Sequence, residues 1–186
     1  MNYYKKYTPY LFLLPAVAVL IVFFFIPFFQ TFGLSFFDYS SSIYNPTFNG
    51  VDNYIKLFKE PIFYKVMFNT FMYLIIAVPF LVTFPLFLAI LINQKIRGIT
   101  LYKILLYLPV IVSIVVAAIA FKWLYAGQGI LNYILTLFHL EPIGWLVDTK
   151  WALFSVAIVT IWKGIGYYMM IYLASLMSVP QDLYEA

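Results

Sequence analysis

The segment Ile161–Met170, IWKGIGYYMM, sets a lysine, two glycines and a tyrosine inside a run that is otherwise apolar from about Trp151 to Met177. A lysine at the centre of a spanning helix costs about 2.5–3.5 kcal/mol on insertion scales. Lys163 lies about 12 residues from Trp151 and about 14 from Met177, which is roughly 20 Å from either end at 1.5 Å per residue. Its stem is too short to snorkel to the headgroups from there. It must therefore face protein or water, and an ionisable residue so placed reads as a site on a substrate or ion pathway. Tyr167 at i+4 and Met170 at i+7 share its helical stripe. Gly164 and Gly166 remove side-chain bulk and permit a close backbone approach or a local unwinding. A cation, an aromatic hydroxyl and bare backbone form a wall suited to a polar, ring-shaped solute such as a sugar. In the other reading, Lys163 is buried and paired to a carbonyl, or to an acid elsewhere in an assembly.

This chemistry is binding, not catalysis. A membrane-embedded enzyme needs an acid–base pair, an activated nucleophile or a metal cluster. The 186 residues contain no cysteine and one histidine, His139, and no acid falls inside any apolar run long enough to span. No metal site or cofactor is expected. The net charge of +4 is small and scattered, so no nucleic-acid surface is expected either. A secondary transporter of a polar solute remains the alternative, although such a protein usually carries an acid within the membrane.

The elements that must position Lys163 follow from where charges fall. The chain is 65% hydrophobic and 10% charged, far from the roughly 25% charged of soluble domains, and its mean hydropathy is +0.96. No charge lies between Lys6 and Asp38 or between Lys65 and Lys95, and each gap exceeds the about 20 apolar residues that cross a bilayer. We read an all-α membrane protein with four spans, about 10–34, 68–92, 102–124 and 151–177. The first apolar run is too long for a cleaved signal peptide. The short loop NQKIRGITLYK concentrates Lys95, Arg97 and Lys103 without an acid, which puts it and the N-terminus inside.

Two connections are longer than turns. Val51, Tyr54, Ile55 and Phe58 form one apolar face of a short interfacial helix, and Ile130, Leu131, Ile134, Leu135 and Phe138 form another. His139 falls in the second connection and reads as a solvated or interfacial residue. Pro15, Pro27, Pro79, Pro85 and Pro109 lie inside spans. Each removes a helix donor, and lipid cannot satisfy the carbonyl it frees.

Beyond the fourth span, SLMSVPQDLYEA resembles the start of the EAA motif of binding-protein-dependent ABC importer permeases. Leu176, Val179, Pro180, Leu183, Glu185 and Ala186 match it, and the chain stops short of the motif's second alanine and its glycine. FNGVDNYIKLF resembles the F-x-G-x-x-N-Y segment of carbohydrate permeases, and LPVIVSIVVAAIAFKWLY, GILN and GWLVD follow in that family's order. The tyrosine of LYEA is similar to the first maltose-importer permease, whose corresponding span is matched here by Trp162, Gly164, Tyr167, Met169 and Met170. Lys163 stands where that permease has an aliphatic residue, so maltose itself is not implied, and an anionic sugar is allowed.

The resemblance implies one permease subunit of a six-helix type I core, in a bacterial or archaeal plasma membrane. It implies solute contact at Lys163, Gly164 and Tyr167. It also implies coupling through Pro180, Leu183, Glu185 and Ala186, in a cytoplasmic loop at about 178–186. The implied partners are a second permease subunit, two ATPase subunits that bind the ATP, an extracellular solute-binding protein and a carbohydrate. Two further spans are expected to follow, which makes the chain a permease truncated within its EAA loop.

Overall fold

The computed structural model describes residues 7–39, 46–94 and 97–178. The chain divides into two compact units, Met1–Lys65 and Val66–Ala186. In the first, α1 (Thr8–Leu20), a π-helical turn (Ile21–Phe25) and α2 (Ile26–Leu34) make 27 residues of continuous helix. Phe12 and Phe23 are 82% and 76% exposed. A helix apolar on every side is stable where its surroundings are hydrocarbon or protein, not water. The π turn shifts the hydrogen-bond ladder just ahead of Pro27, where a donor is missing.

The segment after α2 shows what the F-x-G-x-x-N-Y residues do. Strand β1 (Phe37–Asp38) pairs antiparallel with β2 (Thr47–Phe48), setting Phe37 opposite Phe48 with their rings edge-on at 5.4 Å. Gly50 then turns at φ +58°, a left-handed conformation that side chains disfavour. In the first turn of α3 (Asp52–Lys59), Asn53 Nδ2 donates to the carbonyls of Ser35 at 2.8 Å and Phe37 at 2.9 Å. Its Oδ1 accepts from Asn49 Nδ2 at 3.0 Å. The Tyr54 hydroxyl lies 2.6 Å from Ser35 Oγ. Asn53 thus satisfies backbone carbonyls that the short ladder leaves open. Asp52 at the start of α3 and Lys56 and Lys59 at its end complement the helix dipole.

Helix α4 (Pro61–Ile92) begins on a proline, where no backbone donor is needed. The division between the two units falls inside it. In the second unit the stretch 102–124, expected as one span, is two helices. Helix α5 (Ile99–Ile111) and α6 (Ile114–Leu124) bend by 95°. Val112 and Ser113 between them are extended, at ψ 130° and 140°. Pro109 weakens the ladder just upstream, but apolar content continues unbroken through the bend, so hydropathy alone does not reveal it. Helix α7 (Ile130–Leu137) and α8 (Ala152–Met177) complete the unit.

Its core gathers at the C-terminal ends of α4 and α8, where Ala89, Ile92, Met169 and Leu173 are buried against Ile99 and Leu106 of α5. The Tyr73 hydroxyl donates to Thr160 Oγ1 at 2.6 Å, tying α4 to α8.

At the other end of α8, one amide organises the α6–α8 connection. Asn132 is 1% exposed. Its Nδ2 donates to the carbonyls of Ala126 and Gly127, both at 3.2 Å, and Ile143 at 3.0 Å. Its Oδ1 accepts from Ile143 N at 2.9 Å and Trp145 Nε1 at 3.0 Å. GILN and GWLVD are therefore joined by this side chain. Trp145 meets Tyr125 with its ring tilted at 5.7 Å and Trp151 edge-on at 5.8 Å. The Tyr125 hydroxyl donates to the Ser155 carbonyl at 2.9 Å, and burial raises its pKa above the ordinary phenol value.

His139 closes α7 at φ 58°, the residue that follows the helix's C-cap. The amides of His139 and Leu140 return to the carbonyls of Thr136 and Leu135, each at 3.0 Å. This is the Schellman arrangement, usually built on glycine.

Replacing Asn132 by alanine strands the Ile143 amide and the Trp145 indole N–H. We expect Asn132→Ala to lower stability by about 3 kcal/mol, read as a lower thermal midpoint by tryptophan fluorescence in detergent. An unchanged midpoint would mean that the ring contacts, not the amide, hold the connection.

Candidate functional site

Helix α8 carries the expected site on one face. Thr160, Lys163 and Gly164, then Tyr167 and Tyr168, recur at intervals of three and four residues. These five line one cavity of about 340 Å³, with Leu81 of α4 and Val110 and Ile114 of α5 and α6. The structure therefore brings together Lys163, Gly164 and Tyr167. Tyr167 is 51% exposed, and its ring meets that of Tyr168 edge-on at 5.4 Å. Met170, on the same predicted stripe, lies outside the cavity lining, while Met169 turns into the core.

The Lys163 ammonium is directed at the broken end of α5. Nζ donates to the carbonyl of Val112 at 2.6 Å and to those of Pro109 and Val110, both at 3.3 Å. An ammonium has three donors, and each finds a carbonyl. Of the two sequence readings, the carbonyl partner is present, and the same residue also lines the cavity. Tyr168 and Thr160 were not singled out from sequence. Thr160 was legible as the i−3 neighbour of Lys163 on the same stripe, whereas Val110 and Ile114, on the two sides of the bend at Val112 and Ser113, come to the cavity through tertiary packing.

The two glycines differ. A Cβ on Gly166 would collide with the backbone carbonyl of Leu106, so its bare Cα is what lets α8 approach α5. A Cβ on Gly164 would meet the end of the Leu81 side chain at 2.7 Å and touch the Tyr168 ring at an ordinary 3.5 Å, with no backbone in the way. Helix α8 runs unbroken through both, so neither unwinds it, and close backbone approach is the role of Gly166 alone.

Among the described residues no group of three or more His, Cys, Asp or Glu side chains could hold a metal ion. Pro180, Leu183, Glu185 and Ala186, expected to couple to a partner, lie outside the described residues.

No protein-family model matches the chain. It is 36% identical over 187 aligned positions to the probable ABC transporter permease protein YurN of Bacillus subtilis (strain 168), covering 98% of this chain and 64% of that protein. It is 32% identical to the lactose transport system permease protein LacF of Rhizobium radiobacter, over 98% of this chain and 62% of that one. Among solved structures it is similar to a chain of the bacterial alginate ABC transporter in complex with an alginate pentasaccharide-bound periplasmic protein. The TM-score there is 0.75 at 25% identity, covering 97% of this chain and 60% of the other. The chain thus spans a little over three-fifths of the length of these relatives.

Gly166→Ala should disrupt the α5–α8 contact, at the about 1–3 kcal/mol typical of overpacking, and lower the yield of folded protein in size-exclusion chromatography. Gly164→Ala should fold normally, because Leu81 can change rotamer. Equal behaviour of the two variants would show that the α5–α8 approach is not backbone-limited.

Proposed function

We propose that this chain, similar over 98% of its length to a probable ABC transporter permease and to a lactose transport system permease, works as a permease subunit of an ATP-driven carbohydrate importer. One observation carries the reading beyond kinship. The cavity of about 340 Å³ midway along α8 sets Thr160, Lys163, Gly164 and the two rings of Tyr167 and Tyr168 beside the aliphatic Leu81, Val110 and Ile114, on a helix otherwise apolar enough to cross a membrane. Such a lining offers hydrogen bonds to sugar hydroxyls and a flat face to the ring. Gly164 and Tyr167 face the solute in this proposal, and Lys163 stands in the same wall.

The chain is an all-α membrane protein. We place its N-terminus and residues 178–186 in the cytoplasm, following the basic residues of the loop at 93–103. There Pro180, Leu183, Glu185 and Ala186 would seat against an ATPase subunit, which supplies the energy. A second permease subunit completes the cavity, and an external solute-binding protein delivers the carbohydrate. The alginate transporter, solved with its periplasmic protein, supports such partners.

The test is ATP hydrolysis and uptake by the assembled transporter, with and without the binding protein. Stimulation of both by the loaded binding protein is expected. Uptake that follows an ion gradient and ignores ATP would mean a secondary transporter. Tyr167→Phe should raise the half-saturating solute concentration by roughly two- to tenfold, the worth of one hydrogen bond, and Tyr167→Ala should raise it further. No effect from either would remove Tyr167 from the path.

A further inference from the structure

We propose that Lys163 serves transport as a positioning residue: it caps the C-terminal end of α5 and holds the α5–α6 break, and it does not present its charge to the solute. The proposal rests on the transport reading above and assigns a role within it.

The argument starts from the backbone. In an unbroken helix the carbonyls of Pro109, Val110 and Val112 would accept from the amides of Ser113, Ile114 and Val116. Extended conformations at Val112 and Ser113 take those donors away. Neither lipid nor apolar side chains can replace them. Lys163 does, with its three N–H groups on those three carbonyls. The end of α5 also carries the negative pole of its helix dipole, which favours a cation.

Two consequences follow for the cavity. Val110 lines its wall from just before the bend and Ile114 from just after it, so the cap maintains the shape of the wall. The ammonium, its donors all engaged, has none to offer a solute. Tyr167 and Tyr168 remain, since neither hydroxyl is bonded among the described residues. That lining suits an uncharged, hydroxylated solute and supplies no strong counter-ion for a carboxylate or phosphate.

The chain has no cysteine, so Ser113→Cys places one reactive thiol in it, at the break. Its labelling by a water-soluble maleimide is followed by mass in the assembled transporter, without solute or ATP. Lys163→Met should change that rate by about fivefold or more and lower the maximal uptake rate, while the half-saturating concentration stays within about twofold. Lys163→Arg, which keeps charge and donors, should restore both rates. Lys163→Gln keeps two donors and should fall between; it replaces the methionine variant if that one does not assemble. An unchanged labelling rate with a raised half-saturating concentration would overturn the proposal and make Lys163 a solute contact. Failure of arginine to restore the rates would also overturn it. If the unsubstituted complex shows no ATP-dependent uptake, the transport reading fails, yet labelling still decides the cap.

Discussion

A helix that stops inside an apolar environment leaves carbonyls that nothing nearby will hydrate, and the second unit of this chain is arranged around one such stop. The bend between α5 and α6 exposes the last carbonyls of α5. Lys163, one helix away, answers them. Burying a lysine and breaking a helix each carry a cost of several kcal/mol in hydrocarbon when left unpaired. Brought together they offset one another, because the charged donor and the orphan acceptors satisfy the same bonds.

That pairing works only if α8 lies close to α5. Gly166 supplies the approach by presenting bare backbone to Leu106, three residues beyond the lysine. Small residues at a contact let helices in lipid come near enough for dispersion and polar contacts to act. The buried cluster of Ala89, Ile92, Met169 and Leu173 then holds the same helices at the adjoining end. Cap, close contact and core form one continuous seam along α8, and the cavity at Tyr167 opens beside it.

The same logic governs the connections outside the long helices. Asn53 and Asn132 each gather backbone carbonyls and amides that no regular element satisfies. Both belong to segments whose resemblance to carbohydrate permeases was visible in the sequence. Their geometry gives those motifs a scaffolding role in shaping turns. His139, the single histidine, ends a helix in a conformation usually left to glycine, which accounts for it without any ligand.

Much of this was legible from residue order alone, for a physical reason. Hydropathy is additive along the chain, so long apolar helices, the two short amphipathic ones and the isolation of Lys163 follow from local content. The 3.6-residue period also set Lys163 and Tyr167 on one face, and the structure places both at one cavity. The bend at Val112 and Ser113 was not legible, since the apolar residues run through it and Pro109 alone does not distinguish a kink from a break. Nor could sequence choose between a solute and a carbonyl as the partner of Lys163. An ammonium reports only that it needs acceptors. Which acceptors it meets depends on a helix some fifty positions earlier in the chain, and only the packing of α8 against α5 brings the two together.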